Sequence, residues 1–338
     1  MTITRRTVLG GLATSPFWFQ QFALAQPTSL NISHQFPYGN EAEGDFRDRL
    51  CRKFAADVER RTRGALRFSI HGGAALSTAP AQIGALRKGS LDLSLVPLSY
   101  GGPELPEVNI GLMPGLVTSY DQGYGWKNAE IGRELTRILL DNGIVVVSWI
   151  WQAGGVASRT RPVLDPDDVK GMRVRGGSHE MDLVLAAAGA TVVDMPSNEI
   201  HAAMRSGALD AALTSSTSLI SFNLQDVSRA LTTARGGAYW FMFEPLLMSK
   251  AVFDKLTREQ QAAVMAAGAG VEAFARAAAQ DDDATVAAVY QRANAKIVDL
   301  NTASLKKWQA IARETAWVDY AGKNANCARL MTLATASL

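Results

Sequence analysis

Cysteine is scarce, with two in 338 residues, and histidine nearly so, with four; neither sign of charge prevails, since 34 Lys and Arg stand against 32 Asp and Glu. Each shortage excludes something. Cys51 and Cys327 have no Cys or His neighbour at ligand spacing, so they make no metal site. A balance of +2, with no run of five like charges, provides no pull toward nucleic acid. No uninterrupted apolar stretch of about 18 residues is present to span a bilayer. Gly-x-Ser-x-Gly, His-Glu-x-x-His and Walker-type loops are all missing, and Gly268-Ala269-Gly270 lies in Ala-rich helical text rather than after a strand. The chain is therefore expected to be neither an enzyme nor the holder of a metal or cofactor. What is abundant is apolar residue, 47% and spread along the whole length, enough for a soluble protein with two lobes.

Residues 1–25 differ from the rest. Arg5-Arg6 precede an apolar stretch that contains Gly, Ser and Pro and closes on Ala23-Leu24-Ala25. This is the layout of an export signal, and the arginine pair points to the twin-arginine route and a periplasmic destination. Cleavage there removes two cations and no acid, leaving a mature chain without net charge. An oxidising compartment permits a Cys51–Cys327 disulfide; two separately buried thiols are the other reading.

Periodicity then predicts strand–helix alternation. Strands are expected over 30–34, 66–70 and 91–96, with helices over 46–62 and 79–88 between them, as right-handed crossovers of a largely parallel sheet require. A Gly/Pro-rich passage (97–114) and a helical region (121–140) lead to a continuous apolar strand over 144–151. A second alternation starts near residue 152, with strands over 172–175, 191–194 and 209–213 and helices over 180–188 and 198–206. A long aromatic-rich strand is expected over 239–248, followed by a helix from Thr257 to about residue 293. The consecutive acids Asp281, Asp282 and Asp283 are assigned to the solvated face of that helix. Two α/β lobes joined by several crossings imply a ligand cleft between them. Arg173 and Arg175 alternate on one strand and share a face. A guanidinium at the cleft offers a planar fork for a carboxylate; the alternative is two solvent-facing arginines.

Several stretches, taken in order, resemble one family. They are Asp167-Asp168-Val169-Lys170-Gly171-Met172-Arg173-Val174-Arg175, Ala188-Gly189-Ala190, Met195-Pro196-Ser197-Asn198-Glu199-Ile200-His201-Ala202-Ala203-Met204 and Ser206-Gly207-Ala208-Leu209-Asp210. Leu86-Arg87-Lys88-Gly89-Ser90-Leu91-Asp92 and Gly111-Leu112-Met113-Pro114-Gly115-Leu116 extend the match toward the N-terminus. Together they are similar to the extracytoplasmic solute-binding proteins of tripartite ATP-independent periplasmic (TRAP) transporters, dicarboxylate-binding type. The resemblance implies a two-lobed, periplasmic-binding-protein-like α/β fold with mixed, mostly parallel sheets, a long crossing strand and a long crossing helix. It divides the chain into lobe I (26–151 and 238–256), lobe II (152–237) and a lobe-spanning helix with C-terminal helices (257–338). It also implies a receptor that closes on an organic acid and delivers it to TRAP membrane permease subunits, with no nucleic-acid partner; a monomer is expected. A periplasmic sensor signalling through a membrane kinase is the other reading of such a receptor, ahead of a secreted enzyme.

By that resemblance Arg175 grips the ligand carboxylate, while Arg173 stays structural. Other contacts of the family's sugar-acid binders are replaced: Gly155 stands where an arginine is usual, Pro97 for an acid, Thr214 for an asparagine and Ser197 for an aromatic. One retained arginine favours a monocarboxylate over a heavily charged ligand. Trp149 and Trp151 share a face near the lobe junction, Gln35 and Tyr38 lie on the loop after the first strand, and Trp240 and Phe243 lie in the second crossing strand. The expected substrate-binding set is thus Arg175, Trp151, Gln35, Tyr38, Ser197, Thr214, Trp240 and Phe243, with Arg175 on the carboxylate and Trp151 or Trp240 against an apolar or aromatic body. Each of these rings has packing in the core as its plain alternative.

Overall fold

In the computed structural model, which describes residues 26–40 and 42–336, alternating apolar residues start the first sheet; the expected export segment lies outside the described residues. Strand β1 (Thr28–His34) runs parallel to β2 (Leu66–His71) on one side and to β3 (Leu93–Leu95) on the other. Between β1 and β2 comes the helix Phe46–Arg61, whose Leu50, Phe54 and Val58 fall at helical spacing and are fully buried. Asp45 caps it by accepting from the Arg47 N–H.

Two crossings carry the chain between lobes, and both differ from the continuous strands that hydropathy predicts. The run 144–151 is divided into β4 (Ile144–Ser148), which stays in the first sheet, and β5 (Trp151–Ser158), which enters the second. Both segments are buried along their whole length, so apolarity continues across a bend at Trp149-Ile150 and conceals it. The second lobe adds β6 (Arg173–Arg175), β7 (Thr191–Val192), β8 (Ala211–Ser215) and β9 (Ala230–Thr233). The return segment 239–248 divides at Glu244-Pro245, where proline cannot donate to a ladder. Its first part, β10 (Phe241–Phe243), pairs with β5; its second, β11 (Leu246–Ser249), lies antiparallel between β3 and β4. The Glu244 N–H donates to the Ile150 carbonyl at 2.9 Å and ties the two crossings together. With β12 (Lys296–Asp299), the sheet orders are β2-β1-β3-β11-β4 and β12-β9-β5-β8-β6-β7, with β10 attached to β5.

The third crossing is the helix Arg258–Arg292, 35 residues long and opened by a Thr257/Gln260 capping box. It packs on the helix Phe46–Arg61 and β4 of the first lobe and on the helix Ser216–Ser221, β9 and β12 of the second. Its acidic triplet is not simply a solvated face. Only Asp281 is exposed; Asp282 accepts from Thr217 Oγ1 of the second lobe (2.7 Å) and Asp283 from the Tyr120 hydroxyl of the first (2.6 Å). Successive helical positions point about 100° apart, and here a lobe lies on either side.

One glycine sets how closely this helix approaches the sheet. A Cβ on Gly268 would fall 2.1 Å from the Val147 carbonyl oxygen, whereas one on Gly270 meets nothing within 4 Å. Alanine is favoured over glycine in a helix by about 1 kcal/mol, and overpacking costs about 1–3 kcal/mol. Gly268→Ala is therefore expected to lower unfolding stability by about 2 kcal/mol and Gly270→Ala to raise it by about 1 kcal/mol, read by urea denaturation. Equal effects in the two variants would contradict this packing. The cysteines stay apart as free, buried thiols, Cys51 in the core beneath β1 and Cys327 among the C-terminal helices; burial pushes the Cys327 thiol up to about 11 and Cys51 well above its usual value.

Candidate functional site

Strand β6 has an arginine at each end, and the chain treats them differently. Arg173 reaches Asp210 through Nε (2.9 Å) and Nη2 (2.7 Å), and its side chain is 43% exposed. Arg175, at the carboxyl end, is 2% exposed and faces the first lobe. Its Nε donates to the Met195 carbonyl (3.1 Å), Nη1 to the Leu213 carbonyl (2.8 Å) and Nη2 to the Tyr100 hydroxyl (3.0 Å). Gly177 follows with φ +96°, and a Cβ there would lie 2.6 Å from Arg175 Nη1, so glycine is what admits the guanidinium.

Neutral oxygens are thus its hydrogen-bond partners, and among the described residues no carboxylate comes within ion-pair distance of it. The other fully buried arginine is the counter-example. Arg47 holds Asp45 through Nε (2.9 Å) and Nη2 (2.6 Å) and approaches Glu244 Oε2 at 3.4 Å. Its Nη1 also reaches Ser218 Oγ in the second lobe (3.1 Å), and its plane lies 3.6 Å from the Phe36 ring centre. Glu244 is further bound by the Gln152 amide. Two acids lie within ion-pair distance of Arg47. Among the described residues Arg175 has no such pair, and Asp182 feels its charge from beyond that distance.

The sequence-based candidates divide accordingly. Ser197 is buried, and its N–H donates to the Tyr100 hydroxyl at 3.0 Å. Trp240 is buried beside them, with Nε1 on the Gly176 carbonyl at 2.8 Å. Thr214 follows Leu213 on β8, opposite Gly155. Gln35 is 1% exposed, and among the described residues neither end of its amide has a hydrogen-bond partner. Trp151 and Phe243 instead join Trp149 and Trp126 in one aromatic cluster of tilted and edge-on rings, with centroids 4.6–5.3 Å apart. Tyr38 stands outward, 58% exposed, because the loop turns away from the sheet after the buried Phe36. Tyr100, Arg47, Gln152 and Glu244 were not signalled by the sequence. Tyr100 sits in a Gly/Pro-rich passage without periodicity; Gln152 and Glu244 are isolated polar residues whose partners lie far along the chain, and Arg47 has Asp45 two residues away but reaches Ser218 and Glu244 only across the fold.

A cavity of about 760 Å³ opens between the lobes beside this cluster, lined among others by Ser99, Tyr100, Gly177, Asp182, Met195 and Pro196. The lobes touch around it: Ser99 Oγ donates to the Gly177 carbonyl (3.2 Å), Ser178 Oγ to the Leu112 carbonyl (3.3 Å) and Asn109 Nδ2 to Glu180 (2.9 Å).

Burial pushes four carboxyls of this seam upward: Asp182 and Glu244 to about 7, Asp282 and Asp283 to about 6. Arg175 pulls Asp182 down and Arg47 pulls Glu244 down, but desolvation prevails in both. In the folded state these acids retain protons that the unfolded chain releases near its ordinary 3.8–4.5, so their contribution is greatest below that range and is lost as pH rises toward 7. Asp57, Asp165 and Asp210, lowered chiefly by Arg61, Lys307 and Arg173, act the other way and lose their contribution in acid. The melting temperature is expected to peak near pH 4 and to fall by about 5 °C by pH 8, read by circular dichroism. A flat or rising profile over that interval would contradict these protonation states.

The family model for bacterial extracellular solute-binding protein, family 7, matches residues 41–321. A solute-binding protein of Albidiferax ferrireducens is 60% identical over 330 residues, 98% of this chain and 97% of its own. The crystal structure of a TRAP periplasmic solute-binding protein from Rhodoferax ferrireducens with bound malonate is 61% identical, covers 91% of this chain and 98% of that one, and superposes with a TM-score of 0.90. A Bordetella pertussis extracytoplasmic solute receptor that binds pyroglutamic acid shares the fold at 23% identity and a TM-score of 0.81, over 91% of this chain and 99% of its own.

Proposed function

This chain belongs to the bacterial extracellular solute-binding proteins of family 7, and we propose that it captures a small organic acid between its lobes and delivers it to a TRAP-type membrane permease. It is a binding protein and not an enzyme. The observation that carries the ligand class is Arg175, a buried guanidinium whose bonds end on neutral oxygens while Arg47 is already answered by two acids. A buried cation without its anion is costly, and a carboxylate removes that cost through charge-assisted bonds. Three of the five guanidinium N–H groups are used, which leaves one on each terminal nitrogen for the acid.

The acid proposed is a monocarboxylate with a compact apolar or aromatic body, with the carboxylate on Arg175 and the body against Trp240. The malonate bound by the Rhodoferax relative is the natural comparison, since it differs by a second charge, and Lys323 of the cavity lining is already paired with Glu180 at 2.7 Å. Contacts to both lobes favour the closed form, so capture is a shift of population rather than a chemical step. Export by the twin-arginine route rests on Arg5-Arg6 and completes the proposal. A thermal-shift and calorimetric screen of the purified protein tests it, with malonate, short aliphatic and aromatic monocarboxylates, sugar acids and neutral sugars. The small acids are expected to stabilise the protein and the neutral sugars to leave it unchanged. The proposal is lost if no acid binds or if neutral sugars bind as well as acids.

A further inference from the structure

We infer that the exposed cations at the end of the helix Phe46–Arg61 form a docking surface for an anionic phospholipid bilayer. Residues 47–67 carry eight Lys and Arg against three acids, in a chain whose whole balance is only +2. Lys53, Arg60, Arg61, Arg63 and Arg67 are exposed. Of the three acids, Asp48 is buried and Glu59 half-buried, where it accepts from the Phe68 N–H at 3.1 Å. Asp57, 24% exposed, is shared by Arg60 and Arg61, so two cations divide one acid. Among the described residues Lys53, Arg63 and Arg67 form no ion pair.

Basic residues in a last helical turn complement the helix dipole, and Arg60 and Arg61 have that use. Arg63 does not. It lies beyond the helix at φ +52°, a left-handed conformation that glycine or asparagine adopts at less cost. The backbone works against arginine there, so the side chain supplies the reason for it.

Charge is all that this surface offers. None of the exposed large apolar side chains, Tyr38, Leu76, Leu140, Met265 and Val318, belongs to it, and none of its five cations lines the interlobe cavity. Docking on another protein draws on an apolar centre, whereas a layer of headgroups needs only opposite charge. The location agrees. The Thr28 N–H donates to the Ala65 carbonyl at 2.9 Å, so the chain enters the fold beside Arg63, shortly after the apolar stretch 8–24. An export segment at that point would present this end of the lobe to the bilayer first. Strand β1, seven residues and roughly 20 Å long, separates this end from Gln35. Headgroup contact therefore leaves the cleft free to take its acid.

The test is flotation of the purified protein with vesicles of phosphatidylcholine alone and of phosphatidylcholine with an equal part of phosphatidylglycerol. Partition onto the anionic vesicles is expected to be at least about tenfold stronger at about 20 mM salt, and to be lost at about 500 mM, where charges are screened within a few ångströms. Each cation near such a surface contributes about fivefold. Arg60→Gln combined with Arg63→Gln should thus weaken partition about twenty-fivefold. Arg313→Gln, the same loss of charge from an exposed site on the C-terminal helices, should weaken it less than about twofold per charge removed. Arg63→Asn separates side chain from backbone, with partition about fivefold weaker and the melting temperature unchanged or raised. Equal partition onto neutral and anionic vesicles overturns the inference, as does an equal loss per charge in Arg313→Gln. Retention on immobilised polyglutamate without partition onto either vesicle also overturns it, since the partner would then be an acidic protein segment.

Discussion

Arg175→Ala is expected to weaken acid binding by at least about a hundredfold, while Arg173→Ala changes it by less than about twofold. Bonds to a charged group are worth about 1.5–3 kcal/mol each, so two of them amount to about 3–6 kcal/mol, and each 1.4 kcal/mol is tenfold. Arg173, half exposed and neutralised by Asp210, stands at the far end of the same strand and should not take part. Loss of Arg175 also strips the Met195 and Leu213 carbonyls of their donor, so some stability goes with it. Calorimetry on each variant, paired with its melting temperature, separates lost binding from lost fold. Comparable affinity in the two variants would remove Arg175 from the site.

The larger effect on stability is expected at the other buried arginine. Arg47→Met leaves Asp45 buried without its cation and Glu244 without its donor, and breaking such a buried pair costs about 3–5 kcal/mol. At about 2–4 °C per kcal/mol for a chain of this order, the melting temperature should fall by roughly 10 °C. Glu244→Gln at pH 5 should instead shift it by less than about 2 °C, because burial already keeps that carboxyl protonated below about 7 and the amide replaces a neutral acid. The contrast is what tests the account. If Arg47→Met is as mild as Glu244→Gln, the buried cluster contributes little.

Much of the fold was legible because it is periodic. Leu50, Phe54 and Val58 announce the first helix, and the apolar faces of β1 and β2 announce their sheet, since burial on one side imposes a spacing that local sequence must obey. Where burial is complete the period vanishes, which is why the bend at Trp149-Ile150 went unseen and Glu244-Pro245 could be passed over within an aromatic-rich run. The acidic triplet shows the same limit from the polar side. Asp282 and Asp283 look like solvent-facing helix, and only the lobes on either side give them Thr217 and Tyr120 as partners.

For the site, the family-like order of short motifs singles out Arg175 and places Ser197, where the family has an aromatic, in the expected substrate-binding set. Amino-acid order alone determined the strand–helix alternation, the two lobes and the strand that ends in Arg175, because each depends on residues a few positions apart. Tertiary structure alone decided which arginine lacks an anion, that Tyr100 meets it from 75 residues away, and that Trp151 and Phe243 serve the aromatic cluster. Those outcomes depend on charge and contact between segments distant in the chain, and such distances are set only when the lobes close.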